Sequence, residues 1–433
     1  MHKTKEIFIN GFALFSMFFG AGNLILPPFL GKNAGDLWFW VTIGFFITAV
    51  FIPMIGILAH AKLQGTMYDF GKKVSPAFSL IYCFVVYAIC ITLPAPRTAS
   101  VTHEMAIAPY FQQSSSLLTS TIYFGLVFLF VINRSKVLTI LGKFLTPLII
   151  VILLAIIFVG ISTAPEIVIN STTLQHPFVD GVLEGYQTFD AIASIVVGGV
   201  LVISMNFNSN STFEEKKEVI IKAGIIAGLG LLIIYTGLIY IGFLFSATFG
   251  ENATRTAILN SLSYQTLGNI GSVFLSVLVA LACFTTAVGI ITGTADYFKG
   301  ACNNSQKIFI VTAVIGCLLG VAMGQLNVGH IINIALPALM FIYPITIVLI
   351  LLNVFPVKYA SPLVFKIVIG VTFLFSIPDF LGFFIHNTSL TDIKTHLPLA
   401  DKNLGWVLPA AISFILANVI QKRKDRLTPL NDS

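Results

Sequence analysis

Phe18-Phe19-Gly20-Ala21-Gly22-Asn23-Leu24-Ile25-Leu26-Pro27-Pro28 is the stretch on which the reading of this chain turns. It lies inside an apolar segment that begins at Ile7, and it interrupts that segment with two glycines and an asparagine before two prolines. In water these residues would mark a turn. In a bilayer a freed N–H or C=O finds no solvent, so such a break survives only where protein or a wet cavity supplies partners. The break is therefore a candidate binding site. The plainer alternative is a small-residue face on which another helix packs.

The rest of the chain supports the bilayer setting. Its 433 residues are 57% hydrophobic and only 10% charged, too apolar for a soluble core to hide. Segments long enough to span fall at 7–30, 37–60, 77–101, 117–133, 137–162, 185–206, 219–247, 268–296, 307–325, 329–354, 362–385 and 404–420. This predicts an all-α polytopic membrane protein with twelve transmembrane helices and a single transporter domain over 1–433. The third segment is expected to run on through Leu93-Pro94-Ala95-Pro96-Arg97 as a long kinked helix to about Ala108. A signal peptide over 1–28 is the rival for the first segment, with Lys3 and Lys5 ahead of an apolar run and Gly20-Ala21-Gly22 as a small-residue site. The run continues past that point, which favours a helix.

Charge placement orients the chain. With the N-terminus inside, only Lys32, Arg97, Arg255, Lys394 and Lys402 of the 24 lysines and arginines fall on outward segments. Both termini are expected to be cytoplasmic. This asymmetry accounts for the net charge of +6 without a nucleic-acid partner. The tail 421–433 opens with Gln421-Lys422-Arg423-Lys424, a topology signal or lipid-headgroup contact. Five single cysteines imply neither a disulfide framework nor a zinc site. Phosphate loops and His/carboxylate catalytic sets are absent from the sequence, so no enzyme and no cofactor is expected, and no obligate protein partner is implied.

A coarse symmetry is visible. The sixth segment contains Gln187-Thr188-Phe189-Asp190-Ala191-Ile192-Ala193-Ser194 and then Gly198-Gly199, a second interruption five segments after the first. Two five-helix units, about 7–162 and 185–354, would be inverted relative to each other, with two extra helices at about 362–420. Interrupted helices at matching positions of inverted halves point to a secondary-transport site.

Within these breaks, Asp190 is a carboxylate costing about 2.5–3.5 kcal/mol at a helix centre, a proton or cation handler unless it sits at a solvated rim. Asn23 offers a neutral oxygen to a cation or caps the following half-helix. The half-helix that starts at Asn23-Leu24 has free amides suited to a carboxylate. Ile192, Ile195, Val86 and Tyr87 are possible apolar walls, although such residues are common on membrane helices. Thr285 and Thr286 in the eighth segment would ordinarily bond back to the preceding turn. Arg97 and Glu104 read as outer-gate or rim charges at the end of the third segment.

The run Asn10 to Pro28, with Leu93-Pro94-Ala95-Pro96-Arg97-Thr98-Ala99 and Gly185-Tyr186-Gln187-Thr188-Phe189-Asp190-Ala191, resembles the bacterial branched-chain amino acid:cation symporter family, the BrnQ-type carriers. That family resembles the amino acid–polyamine–organocation superfamily, which implies the leucine-transporter-type 5+5 inverted repeat with discontinuous helices 1 and 6. By this resemblance the amides of Gly20, Ala21, Gly22 and Asn23 take the substrate carboxylate and the carbonyls of Phe189 and Asp190 its amino group; Leu24, Ile192 and Ser194 are counted with them as substrate-site candidates. It further implies a Na⁺ site between helices 1 and 8 from the carbonyls of Ser16, Phe19 and Ala282 and the hydroxyls of Thr285 and Thr286, with a second cation position near Asn23 and Asp190. The implied activity is import of leucine, isoleucine or valine coupled to Na⁺ or H⁺ by alternating access in the bacterial cytoplasmic membrane. An exchanger, a uniporter or a symporter of another neutral amino acid on the same fold is the alternative, and a channel or membrane enzyme a distant one.

Overall fold

The computed structural model describes residues 2–133, 137–166, 171–196, 198, 212–385, 394 and 396–427. Among these, no strand is present. In chain order the helices are α1 (His2–Phe18), α2 (Ala21–Ala34), α3 (Trp38–Phe46), α4 (Ile52–Leu63), α5 (Met67–Gly71), α6 (Pro76–Thr92), α7 (Pro94–Thr102), α8 (Ser116–Asn133), α9 (Val137–Ser162) and α10 (Pro177–Tyr186). There follow α11 (190–196), α12 (Phe213–Leu244), α13 (Arg255–Ala301), α14 (Gln306–Gly324), α15 (Val328–Val354), α16 (Pro362–Leu381) and α17 (Val407–Leu427).

Nine helical stretches among the described residues are long and apolar enough to cross a membrane. Of the twelve expected segments, the first is split between α1 and α2. The sixth runs into residues 197 and 199–211, which with Gly199 lie outside the described residues. The twelfth is α17, which carries Lys422 and Arg423 toward its end. The third continues across Pro94, as expected. Leu93 N–H donates to Ile89 and Arg97 N–H to Leu93, so α6, α7 and a π-helical turn at His103–Ile107 form one kinked stretch. The long α13 is bent at Gly268, whose φ of 68° is a left-handed conformation that glycine takes without steric penalty. Large apolar side chains such as Phe158 and Ile161 in α9 and Leu80 and Phe84 in α6 are exposed, as a lipid-facing surface requires.

The chain folds as two compact units, each discontinuous in sequence. The first gathers Met1–Val50, Tyr87–Phe189 and Ile225–Ala335. Its helices approach to backbone distance. A methyl group on Gly31 of α2 would lie 1.8 Å from the Ile239 carbonyl oxygen of α12, and one on Gly242 of α12 would lie 2.2 Å from that of Pro28. The α3–α10 pair is built in the same way, through Gly44 against Phe178 and Gly181 against Val41. Without a hydrophobic force between helices in lipid, such small-residue contacts supply the packing.

The second unit gathers Phe51–Val86, Asp190–Gly224 and Leu336–Ser433. In it α4 meets α11, with Gly56 against Ser194 and His60 Nε2 2.7 Å from the Ile195 carbonyl oxygen. Tyr82 shares a 2.7 Å hydroxyl contact with Thr346 of α15, and Asn353 donates to the Phe70 carbonyl at 3.1 Å. Helix α16 packs on α17, and Asp379 of α16 pairs with Lys394 at 3.5 Å.

Gly31→Ala forces backbone out of contact and should cost about 1–3 kcal/mol. It should lower the melting temperature of the detergent-solubilised protein. Gly125→Ala in α8, where no atom lies within 4 Å, should leave it unchanged or raise it.

Candidate functional site

The first break is real and sits one residue earlier than expected. Helix α1 ends at Phe18, Gly20 takes an extended conformation (φ −85°, ψ 160°), and Ala21 already begins α2. Ala21, Gly22 and Asn23 therefore form the first helical turn rather than an unwound linker. Gly20 N–H donates to the Phe18 carbonyl at 2.9 Å, and Asn23 Nδ2 donates to the same oxygen at 2.7 Å. Asn23 is buried and its Nδ2 also donates to the Tyr235 hydroxyl at 3.0 Å. It thus caps the C-terminal end of α1 rather than the N-terminus of α2, where Gly20 is the capping residue. Phe19 is buried and stacks on Phe15 and Tyr235, and Leu24 is fully buried.

The second break is equally definite. Gln187, Thr188 and Phe189 N–H groups each bond three residues back, to Glu184, Gly185 and Tyr186, which closes α10 as a tight turn. Phe189 follows with φ 61°. A left-handed aromatic residue is costly, about 1–3 kcal/mol, and such outliers concentrate at functional sites. The Gln187 carbonyl accepts from Arg97 Nη1 at 2.8 Å.

Arg97 is the main correction to the sequence reading. It is neither a rim residue nor exposed, but 96% buried on α7, because its relative exposure is 4%. Its guanidinium lies over the Phe189 ring, 5.3 Å from the centroid, and a methyl group on Gly22 would come within 2.3 Å of an Nη atom. One cation therefore touches both breaks within the first unit. The helix was expected to continue through Leu93-Pro94-Ala95-Pro96, and it does; residue order alone left Arg97 as an outer-gate or rim charge because it does not show which way the side chain faces. Gln187 was also passed over. It is fully buried, and neither Nε2 nor Oε1 of its side chain finds a hydrogen-bond partner among the described residues. Leaving such a group unmet costs about 1–3 kcal/mol.

Thr286 faces the first break. A methyl group on Gly20 would lie 3.9 Å from both its Oγ1 and Cγ2. Thr285 Oγ1 donates back to the Ala282 carbonyl at 3.0 Å, the ordinary behaviour of a helical threonine. Ser16 Oγ accepts from Thr146 Oγ1 at 2.7 Å, which ties α1 to α9. In the second unit Asp190 is the first residue of α11 and buried, Ile192 is buried, and Ser194 Oγ donates back to the Ala191 carbonyl at 2.7 Å.

Glu104 is anchored too. Its carboxylate accepts from Thr256 Oγ1 at 2.5 Å and from Val328 N–H, at the start of α15, at 2.8 Å, a favourable place for a negative charge. Nearby in sequence terms, Glu184 pairs with Arg255 at 2.8 Å, and Arg255 covers the Phe29 ring at 4.1 Å.

A family model described as branched-chain amino acid transport protein matches residues 3–424. The chain belongs to this family. It is 34% identical over 429 residues to the branched-chain amino acid transport system 2 carrier protein of Pseudomonas aeruginosa, covering 97% of each chain. It is 33% identical over 430 residues to the branched-chain amino acid permease BraB of Bacillus subtilis, covering 96% of each. Family members named as carriers and permeases place the chain among multi-pass membrane transporters, not enzymes. Among solved structures it is similar to Mhp1, a nucleobase-cation-symport-1 family transporter, in a closed conformation, with TM-score 0.63, 12% identity and coverage of 99% of this chain and 94% of that one. MhsT in complex with L-phenylalanine gives TM-score 0.54, 15% identity and coverage of 94% and 97%. These likenesses show the fold: an all-helical transporter fold shared across distant sequences.

Asn23→Leu leaves the Phe18 carbonyl without its side-chain donor and should destabilise by about 1–3 kcal/mol. Tyr235→Phe removes one hydroxyl and should cost less, about 1 kcal/mol. Thermal unfolding of the two variants checks the order; equal losses would deny Phe18–Asn23 its role in sealing the break.

Proposed function

We propose that the protein imports leucine, isoleucine or valine by alternating access, in symport with Na⁺ or H⁺. The observation that carries this is a pair of helix breaks, Phe19–Gly20 and Gln187–Phe189, joined by one buried arginine in a chain of this family. Breaks of this kind in two helices are how secondary transporters build a site for substrate and ion. The family's carriers and permeases are named for branched-chain amino acids, which supports the substrate class. The proposal includes twelve helices in a 5+5 inverted repeat with two extra helices, and both termini in the cytoplasm of a bacterium. Of the residues proposed for the substrate site, Gly20, Ala21, Gly22, Asn23, Leu24 and Phe189 belong to the first unit, and they carry the reading.

A small hard cation wants oxygen ligands, and the Thr286 hydroxyl beside Gly20 supports a Na⁺ position at the first break. Ser16, Phe19, Ala282 and Thr285 belong to the same proposed set. The driving forces are adequate without a nucleotide. One charge crossing 100 mV contributes about 2.3 kcal/mol. A tenfold ion gradient adds about 1.4 kcal/mol, so accumulation of about several hundredfold per ion is within reach.

Uptake of labelled leucine into proteoliposomes, with Na⁺, pH and voltage gradients imposed one at a time, tests the reading. Accumulation should follow the Na⁺ or the H⁺ gradient; equal uptake with both clamped would indicate a uniporter or exchanger. Thr286→Ala should raise the Na⁺ half-saturation by about tenfold, equivalent to about 1.4 kcal/mol, with leucine KM at saturating Na⁺ little changed. An unchanged Na⁺ dependence would remove Thr286 from the ion site.

A further inference from the structure

Gln187 and Arg97 meet at the second break, and the ion and helix-end chemistry above leaves the Gln187 side-chain amide unexplained. The Gln187 amide has one donor group and one acceptor, both fully buried, and neither has a partner among the described residues. A polar group left unmet in a native interior calls for a reason, and a missing ligand is one. The backbone of the same residue is held by Arg97, whose guanidinium lies against Gly22 and over the Phe189 ring. Arginine is ionised at every working pH and presents a planar fork of N–H donors that matches a carboxylate in two parallel bonds. Glycine at position 22 is what lets that fork lie against α2, since even a methyl group there would overlap it.

A permanent cation and an unmet amide at one helix break suit a zwitterion. We propose that Arg97 and the side-chain amide of Gln187 hold the head group of the transported amino acid, the guanidinium on its carboxylate and the amide oxygen on its ammonium group. The proposal rests on the transport reading above and assigns that site its polar recognition. It differs from a site in which helix amides alone receive the carboxylate, because it makes affinity depend on one side chain of α7.

The test uses the purified full chain and ligands edited at one end. Dissociation constants are measured for leucine, for leucinamide, which lacks the carboxylate charge, and for 4-methylpentanoate, which lacks the ammonium group. Arg97→Gln should weaken leucine by about 100-fold, the loss of a bidentate charged pair, and leucinamide by less than about threefold. Gln187→Leu should weaken leucine by about tenfold and leave 4-methylpentanoate unchanged. Its melting temperature should hold or rise, because an apolar side chain replaces an unmet amide. Leucine affinity unchanged in either variant overturns the proposal. So does an equal loss of leucine and leucinamide in Arg97→Gln, which would mark Arg97 as a strut between the breaks. If Arg97→Gln does not fold, Arg97→Lys keeps the charge without the fork. It should lose about tenfold on leucine and nothing on leucinamide, and equal losses again overturn the assignment. Wild-type protein that binds none of leucine, isoleucine or valine would overturn the transport reading itself, whereas leucine binding indifferent to Arg97 and Gln187 overturns only the head-group assignment.

Discussion

Backbone groups freed inside a bilayer must find partners in the protein, and the first unit of this chain is arranged around that demand. At the first break a single carbonyl, that of Phe18, takes both the Gly20 N–H and the Asn23 side-chain amide. At the second, the Gln187 carbonyl takes Arg97. Each break is thus sealed by one side chain, in the first case from the turn that follows and in the second from a different helix. That is why an interruption too polar for a lipid-facing helix persists, and why the residues beside it are held in place rather than free to rewind.

The glycines divide into two kinds by what faces them. Gly31 and Gly242, and likewise Gly44 and Gly181, meet backbone, and they clamp the half-helices α2 and α10 to α12 and α3. Those clamps fix the helical segments that flank the breaks. Gly20 and Gly22 meet side chains instead: a threonine hydroxyl for the first, a guanidinium for the second. At Gly20-Ala21-Gly22 the contacts are with side chains rather than backbone, which favours the binding-site reading proposed above. Backbone-to-backbone packing belongs to Gly31 on α2, and the break itself is lined by a hydroxyl and a guanidinium.

Much of this was legible from residue order. Apolar run length placed the helices, since a span needs about 20 residues, and Gly20 and Phe189 were flagged because small and polar residues interrupt those runs. What remained hidden depended on three-dimensional continuity. Arg97 was read near the outer end of a helix expected to run on through Pro94 and Pro96, and residue order does not show which way its side chain faces. Here Pro94 stands at the first turn of α7, where its missing N–H costs nothing, and the helix carries Arg97 inward to a buried position. Gln187 was invisible for another reason: a glutamine in a turn is unremarkable until its burial and its lack of partners are known. The registration of the first break shifted by a residue because helix α2 begins at Ala21, and Gly20, extended but not left-handed, needs no special φ to precede it.

The position of Arg97 also bears on how a membrane potential can act. A zwitterionic amino acid carries no net charge, and an arginine bonded to the backbone of α10 stays with the protein. In the proposed symport the potential would do its work on the coupling ion, at about 2.3 kcal/mol per charge per 100 mV. Arg97 contributes differently. Its bond to the Gln187 carbonyl joins a charge to a neutral oxygen, and a carboxylate is the stronger partner for a guanidinium. A carboxylate on Arg97 would share the guanidinium with the Gln187 carbonyl, which holds the turn whose left-handed Phe189 is costly to maintain. If Arg97 receives the substrate as proposed, recognition and the conformation of the second break would be joined through one side chain, the kind of coupling that alternating access requires.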